Sequence, residues 1–128
     1  MIVLLDTSTA VCKLTLVDDE LHLDFQWQAD KMLARSLLKY LNTKLQENGK
    51  TWSDISAIGV FEGPGSFTGI RIGLTVMNTI ADAQNIPIVG GRGETWQAII
   101  LQKLKSGENE KIVLPFYGSE ANITSPRK

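Results

Sequence analysis

Polar and apolar positions first alternate along this chain and later recur at helical spacing. Residues 2–6, IVLLD, are an apolar, β-prone run. In VCKLTLV (11–17), Cys12, Leu14 and Leu16 face one way and Val11, Lys13, Thr15 and Val17 the other. DDE marks a tight turn. LHLDFQW (21–27) alternates again, with Leu21, Leu23, Phe25 and Trp27 opposed to His22, Asp24 and Gln26. Three such runs joined by short turns predict an antiparallel meander.

The period then changes. Over residues 30–48, Leu33, Ala34, Leu37, Leu38, Tyr40, Leu41 and Leu45 fill an arc of about 160° at helical spacing, and Gly49 in NGK ends that helix. ISAIGVF (55–61) reads as a buried strand. A glycine-rich loop follows, then a helix over 67–84, a strand at IPIVG (86–90), and a third helix over 93–105 that buries Trp96, Ile99, Ile100 and Leu104. IVLPFY (112–117) is a last strand candidate, weakened by Pro115. A meander followed by β-α-β units predicts an α/β fold, a mixed five-stranded sheet with flanking helices. The element order is that of a ribonuclease-H-like fold, the half-module of the actin-like ATPase (ASKHA) superfamily.

Composition narrows the picture. A length of 128 residues fits a single domain. The formal net charge of −1 gives no strong pull toward nucleic acid or membrane. Cys12 is the only cysteine, which rules out an internal disulfide and a Cys-based zinc site. No run approaches the roughly 20 apolar residues a span needs, and MIVLLDTSTA reaches Asp6 too soon for a secretory signal. The expectation is a cytoplasmic protein with no membrane partner.

EGPGSFTGIRIG (62–73) invites several chemistries. A phosphate loop of the Walker type needs a lysine after its last glycine, where Ile70 follows Gly69. A dinucleotide fingerprint starts correctly at Gly63 and Gly65 but meets Thr68 where its third glycine belongs. A nucleophile elbow needs glycines at the positions of Pro64 and Thr68, and Ser66 lacks an evident base. What remains is a helix start. Ser66 or Thr68 can cap it. Arg71 in its first turn opposes the helix dipole unless an anion or a carboxylate such as Glu62 is near. The loop residues Gly63, Gly65, Ser66, Thr68, Gly69 and Arg71 are therefore candidates for an anion contact.

The helix itself is apolar over about 200°, wider than one buried face needs. Ile70, Leu74, Met77 and Ala81 form one stripe; Ile72, Val76, Ile80 and Ala83 form another. Gly69 and Gly73 suit a close-packed helix backbone. Asp6 and Glu62 end neighbouring strands in this fold, as a two-metal nuclease requires, but the first helix adds only Asp30 and Glu47 at its ends, and no metal site is expected. Asp6, Thr7 and Ser8 could instead form a phosphate-contacting turn or a hydrogen-bonded strand end.

LLDTSTA, GPGSFTGIRIGL and NIPIVGG together resemble the TsaB (YeaZ) family, over about residues 1–106 and poorly over 107–128. The resemblance implies a non-catalytic scaffold and activator in N6-threonylcarbamoyladenosine (t6A) modification of tRNA. It implies a TsaD-like catalytic paralogue as partner, bound through N-terminal helices in a four-helix bundle, a TsaE-like ATPase that joins the complex, and tRNA engaged indirectly. By position, the interface candidates are Leu33, Leu37, Tyr40 and Leu41 on the first helix and Ile70, Gly73, Leu74 and Met77 on the second. Which stripe faces the sheet stays open. A homodimer through the same arc is expected in isolation.

Family members usually carry a second domain, so this chain is expected to be the first domain alone. A nucleotide cleft would then not close within it, and ATP or ADP would sit only at a subunit interface. Many relatives also carry a histidine early in the first helix, where this sequence reads KMLARSLLKYL. The alternatives are a small nucleotide-binding ATPase or kinase module and a truncated, self-associating remnant.

Overall fold

A computed structural model describes residues 1–116. The meander forms as its alternation predicts. Strands β1 (Ile2–Asp6), β2 (Val11–Asp18) and β3 (Leu21–Gln28) pair antiparallel in turn. Cys12, Leu14 and Leu16 are buried beneath the helices, while the matching row of β3, Leu21 to Trp27, is only half-buried. A 3-10 turn over Asp30–Met32 leads into α1 (Leu33–Glu47), which buries Leu33, Leu37, Leu41 and Leu45, one residue per turn. Gly49 follows the helix with a positive φ of 70°, a conformation that costs glycine little.

Strand β4 (Ala57–Gly63) adds parallel to β1, α2 (Phe67–Gln84) covers the sheet, and β5 (Ile88–Arg92) adds parallel to β4. The sheet order is β3-β2-β1-β4-β5, five strands of mixed sense. Both β5 and α3 (Trp96–Lys105) begin later than their sequence patterns suggest, because Pro87 precedes the ladder and residues 93–95 turn before helix starts. Helices α1 and α2 share one face of the sheet; α3 alone covers the other, where Ile100 packs on Leu4 and Val89.

Residues 112–116 do not form the expected strand, and Tyr117 lies outside the described residues. The segment passes round the β5 edge instead. The Glu110 N–H donates to Ile88 O, Val113 enters the α2 side of the core, and Phe116 N–H donates to Glu62 O. The Asn78 side-chain amide clamps Val113 at both ends, donating to its carbonyl at 3.0 Å and accepting from its N–H at 2.9 Å.

Candidate functional site

The two sequence motifs meet. At the end of β1, Ser8 N–H donates to Asp6 Oδ1 at 2.8 Å, closing a small turn. That turn lies against the glycine loop. Ser66 N–H donates to Ser8 O at 2.8 Å, and Thr7 Oγ1 donates to Gly69 O at 2.7 Å. A Cβ at Gly65 would stand 2.5 Å from Ser8 Cβ; Cβ atoms at Gly69 and Gly73 would strike the Thr7 carbonyl and hydroxyl. The glycines therefore admit the β1 turn, and not another helix as their spacing suggested. Thr7 and Ser8 are buried by this packing. Ser66 is the N-cap of α2, accepting from Gly69 N–H at 3.3 Å, while Thr68 is exposed on the first turn.

Arg71 does not reach Glu62. Its guanidinium lies over the Phe67 ring at 5.1 Å, on the exposed side of α2. Glu62 is buried and pairs with Arg92, Oε1 to Nε at 3.0 Å, and Arg92 in turn lies 4.0 Å over the Phe116 ring. Arg92 carries no signal of this role in its sequence context, a short glycine-rich strand end.

The expected interface residues are also redistributed. Leu33, Leu37 and Leu41 on α1, and Ile70, Gly73, Leu74 and Met77 on α2, are all buried in the chain's own core. They are the faces that α1 and α2 turn to the sheet, so they cannot at the same time meet a partner. Tyr40 is half-buried, stacked on Trp27 at 4.8 Å between centroids. Periodicity found both stripes of α2 but could not rank them, because each is apolar enough to be core.

The second stripe is left partly outward: Ile72 and Val76 are half-buried and Ala83 is exposed, while Ile80 is buried. Between α1 and α2 runs an open groove. Ala34, Phe67, Ile72 and Val76 line its upper part, and Leu38, Trp52, Val76, Ile80 and Ala83 its lower part. Leu38 is 56% exposed and Phe67 49%. Thr68, Arg71, Thr75 and Thr79 edge it with polar groups. Its chemistry is an apolar floor with a polar rim, suited to a helix laid along it. None of the described helices is long and apolar enough to cross a membrane.

A family model described as TsaD, tRNA N6-adenosine threonylcarbamoyltransferase, matches residues 27–112. A Buchnera aphidicola protein named tRNA threonylcarbamoyladenosine biosynthesis protein TsaB is 32% identical over 84 residues, which are 66% of this chain and 38% of that protein. The Escherichia coli protein of the same name is 31% identical over 90 residues, 70% of this chain and 38% of its own length. The solved structure of YeaZ from Pseudomonas aeruginosa superposes with a TM-score of 0.67 at 30% identity, covering 83% of this chain and 49% of that one. The chain thus spans less than half the length of these relatives. The shared architecture is the actin-like, ribonuclease-H-like fold.

Proposed function

The chain belongs to the family of TsaD, the tRNA N6-adenosine threonylcarbamoyltransferases, and from that premise we propose that it is a non-catalytic subunit that docks a TsaD-type paralogue in t6A modification of tRNA. The observation that carries this reading is the outward stripe of α2. Ile72, Val76 and Ala83, with Ala34 and Leu38 of α1, present an apolar floor that no described element covers. Two helices offering such a groove pair naturally with two helices of a paralogue, which would present a similar pair. The names borne by the TsaB relatives supply the pathway.

The glycine loop supports the same reading. Ser66 N–H donates to Ser8 O and Gly69 O accepts from Thr7 Oγ1, which holds the start of α2 against the β1 turn and so fixes the groove. In this scheme an ATPase of the TsaE type joins through the complex, tRNA is met by the assembly, and any nucleotide lies at a subunit boundary.

The test is co-expression with the TsaD-type protein of the same genome, followed by size exclusion. The wild-type pair is expected to co-elute. Leu38→Glu or Val76→Glu, at positions with an exposed side, should abolish co-elution while the far-ultraviolet spectrum stays native. Ile70→Glu or Leu74→Glu would instead bury a charge beneath α2 and unfold the chain, since both sites are fully enclosed. Wild-type proteins that elute separately would refute the proposal.

A further inference from the structure

Charge is unevenly spread over this chain. The formal net charge is −1, yet the residues that line the α1–α2 groove and the hollows adjoining it include four cations, Lys31, Arg35, Lys39 and Arg71, and one carboxylate, Asp30. All four cations are exposed. Among the described residues none of them forms an ion pair; the lysine and arginine pairs fall on Lys44, Arg92 and Lys103. Asp30 accepts from the Gln28 side-chain amide at 2.9 Å.

The cations of α1 work against the helix that carries them. Lys31 and Arg35 stand at its start, where the first turn holds no acidic residue, and positive charge there opposes the helix dipole. Arg35 and Lys39 are four residues apart, about 6 Å along the axis, and like charges at that spacing disfavour a helix. Neither feature helps the chain alone. Carboxylates laid against this flank would relieve both.

The flank adjoins the apolar floor. Leu38 and Trp52 line the lower groove and also the hollow that holds Arg35 and Lys39. Ala34 and Ile72 line the upper groove and also the hollow that holds Lys31. An occupant therefore meets an apolar floor and a row of cations together. A phosphate backbone would satisfy the cations and leave Leu38, Val76 and Trp52 in water. The same groove of a second copy would bring cations to cations. An amphipathic helix with an acidic flank satisfies both demands, as charged flanks do beside the seam of a coiled coil.

We propose that the paralogue helix seated in this groove carries carboxylates about one turn apart beside its apolar stripe, which pair with Lys31, Arg35 and Lys39, while Arg71 meets a further carboxylate from the α2 side. The inference rests on the docking reading above and adds the partner's charge. The rim then sets which helix is accepted and how it is turned.

Titration calorimetry of the full chain with the TsaD-type protein of the same genome tests this. Wild-type affinity should fall several-fold between about 0.05 and about 0.5 M salt, as exposed pairs are screened. Arg35→Glu combined with Lys39→Glu should weaken binding by roughly tenfold and remove most of that salt dependence. Glutamate is a good helix former and suits the first turn of α1, so the fold is kept, as an unchanged urea midpoint would show. Lys105→Glu, on α3 at the opposite face of the sheet, alters net charge away from the groove and should shift affinity by less than about twofold. A carbodiimide, which joins an amine directly to a carboxylate, should couple Lys31 or Lys39 to an Asp or Glu of the paralogue. Wild-type proteins that do not associate would end the docking reading and this inference with it. A complex that forms but ignores both glutamates and salt would overturn the acidic flank alone and leave docking standing. So would a doubly substituted chain that keeps the paralogue and instead loses binding of tRNA, which would assign the cations to phosphates.

Discussion

Thr7 does two jobs with one small side chain. Its hydroxyl bonds to Gly69 O, and its bulk fills the space that glycine leaves at 73. A methyl at position 73 therefore meets a fixed neighbour. Gly73→Ala should destabilise by about 1–3 kcal/mol despite alanine's better helix propensity, read by urea unfolding. Combined with Thr7→Ala, which empties the space, the loss should fall short of the sum of the single changes. Cys12 offers a second check. Burial, with a smaller contribution from the Asp6 carboxylate, pushes its thiol up to about 12. The folded state therefore holds the proton more tightly than the unfolded chain does. This stabilisation is complete below the ordinary thiol value near 8.5 and falls as pH rises from there toward 12. A thiol reagent at pH 8 should label the unfolded chain promptly and the native one only as fast as it opens.

At the scale of elements, what was legible depended on whether a signal had one reading. The bounds of α2 were clear, because Ser66 caps one end and the apolar period stops near Asn85, which takes the left-handed conformation that closes the helix. The inward face of α2 was not, because two stripes of similar apolarity competed. Only the Thr7 contact and the sheet decide between them, and both are tertiary. The same holds for Gly69 and Gly73, which announced a close approach without saying to what. Arg92 and the side chains that close the β5 edge were invisible for a related reason. Asn109 accepts from Ile88 N–H, Glu110 accepts from Gly90 N–H, and Lys103 donates to Gly90 O and pairs with Glu110. All three look like solvated loop and helix polar residues until the edge is in view. That closure is testable. Glu110→Ala leaves Gly90 N–H without its acceptor and Lys103 without its counter-ion. It should cost about 1–3 kcal/mol and raise amide exchange at Gly90 well above that of its neighbours.

Over the whole molecule, the division of labour follows from the layers. One helix suffices for the face that holds Leu4, Val89 and Ile100. Two helices cover the other face, and both keep apolar residues to spare on their outer sides. The fold class was legible because three alternating strands followed by β-α-β units admit few sheets. The surplus of apolar surface on α2 was legible too, though the residues first assigned to a partner surface, Tyr40 apart, turned out to be core.

The bond between Thr7 and Gly69 spans 62 residues of sequence. During synthesis the meander can pair as soon as β3 has emerged, yet β1 then stands with its second edge bare. A ribosome adding about 5–20 residues per second takes about 3–12 s to bring residue 69 after residue 7. From the completion of β3 until β4 is made, the inner strand of the finished sheet is an outer one, and until residue 69 follows the β1 turn holds no helix. The nascent chain is therefore most open to wrong strand pairing not at either edge of the mature sheet, but along the strand that ends up at its centre.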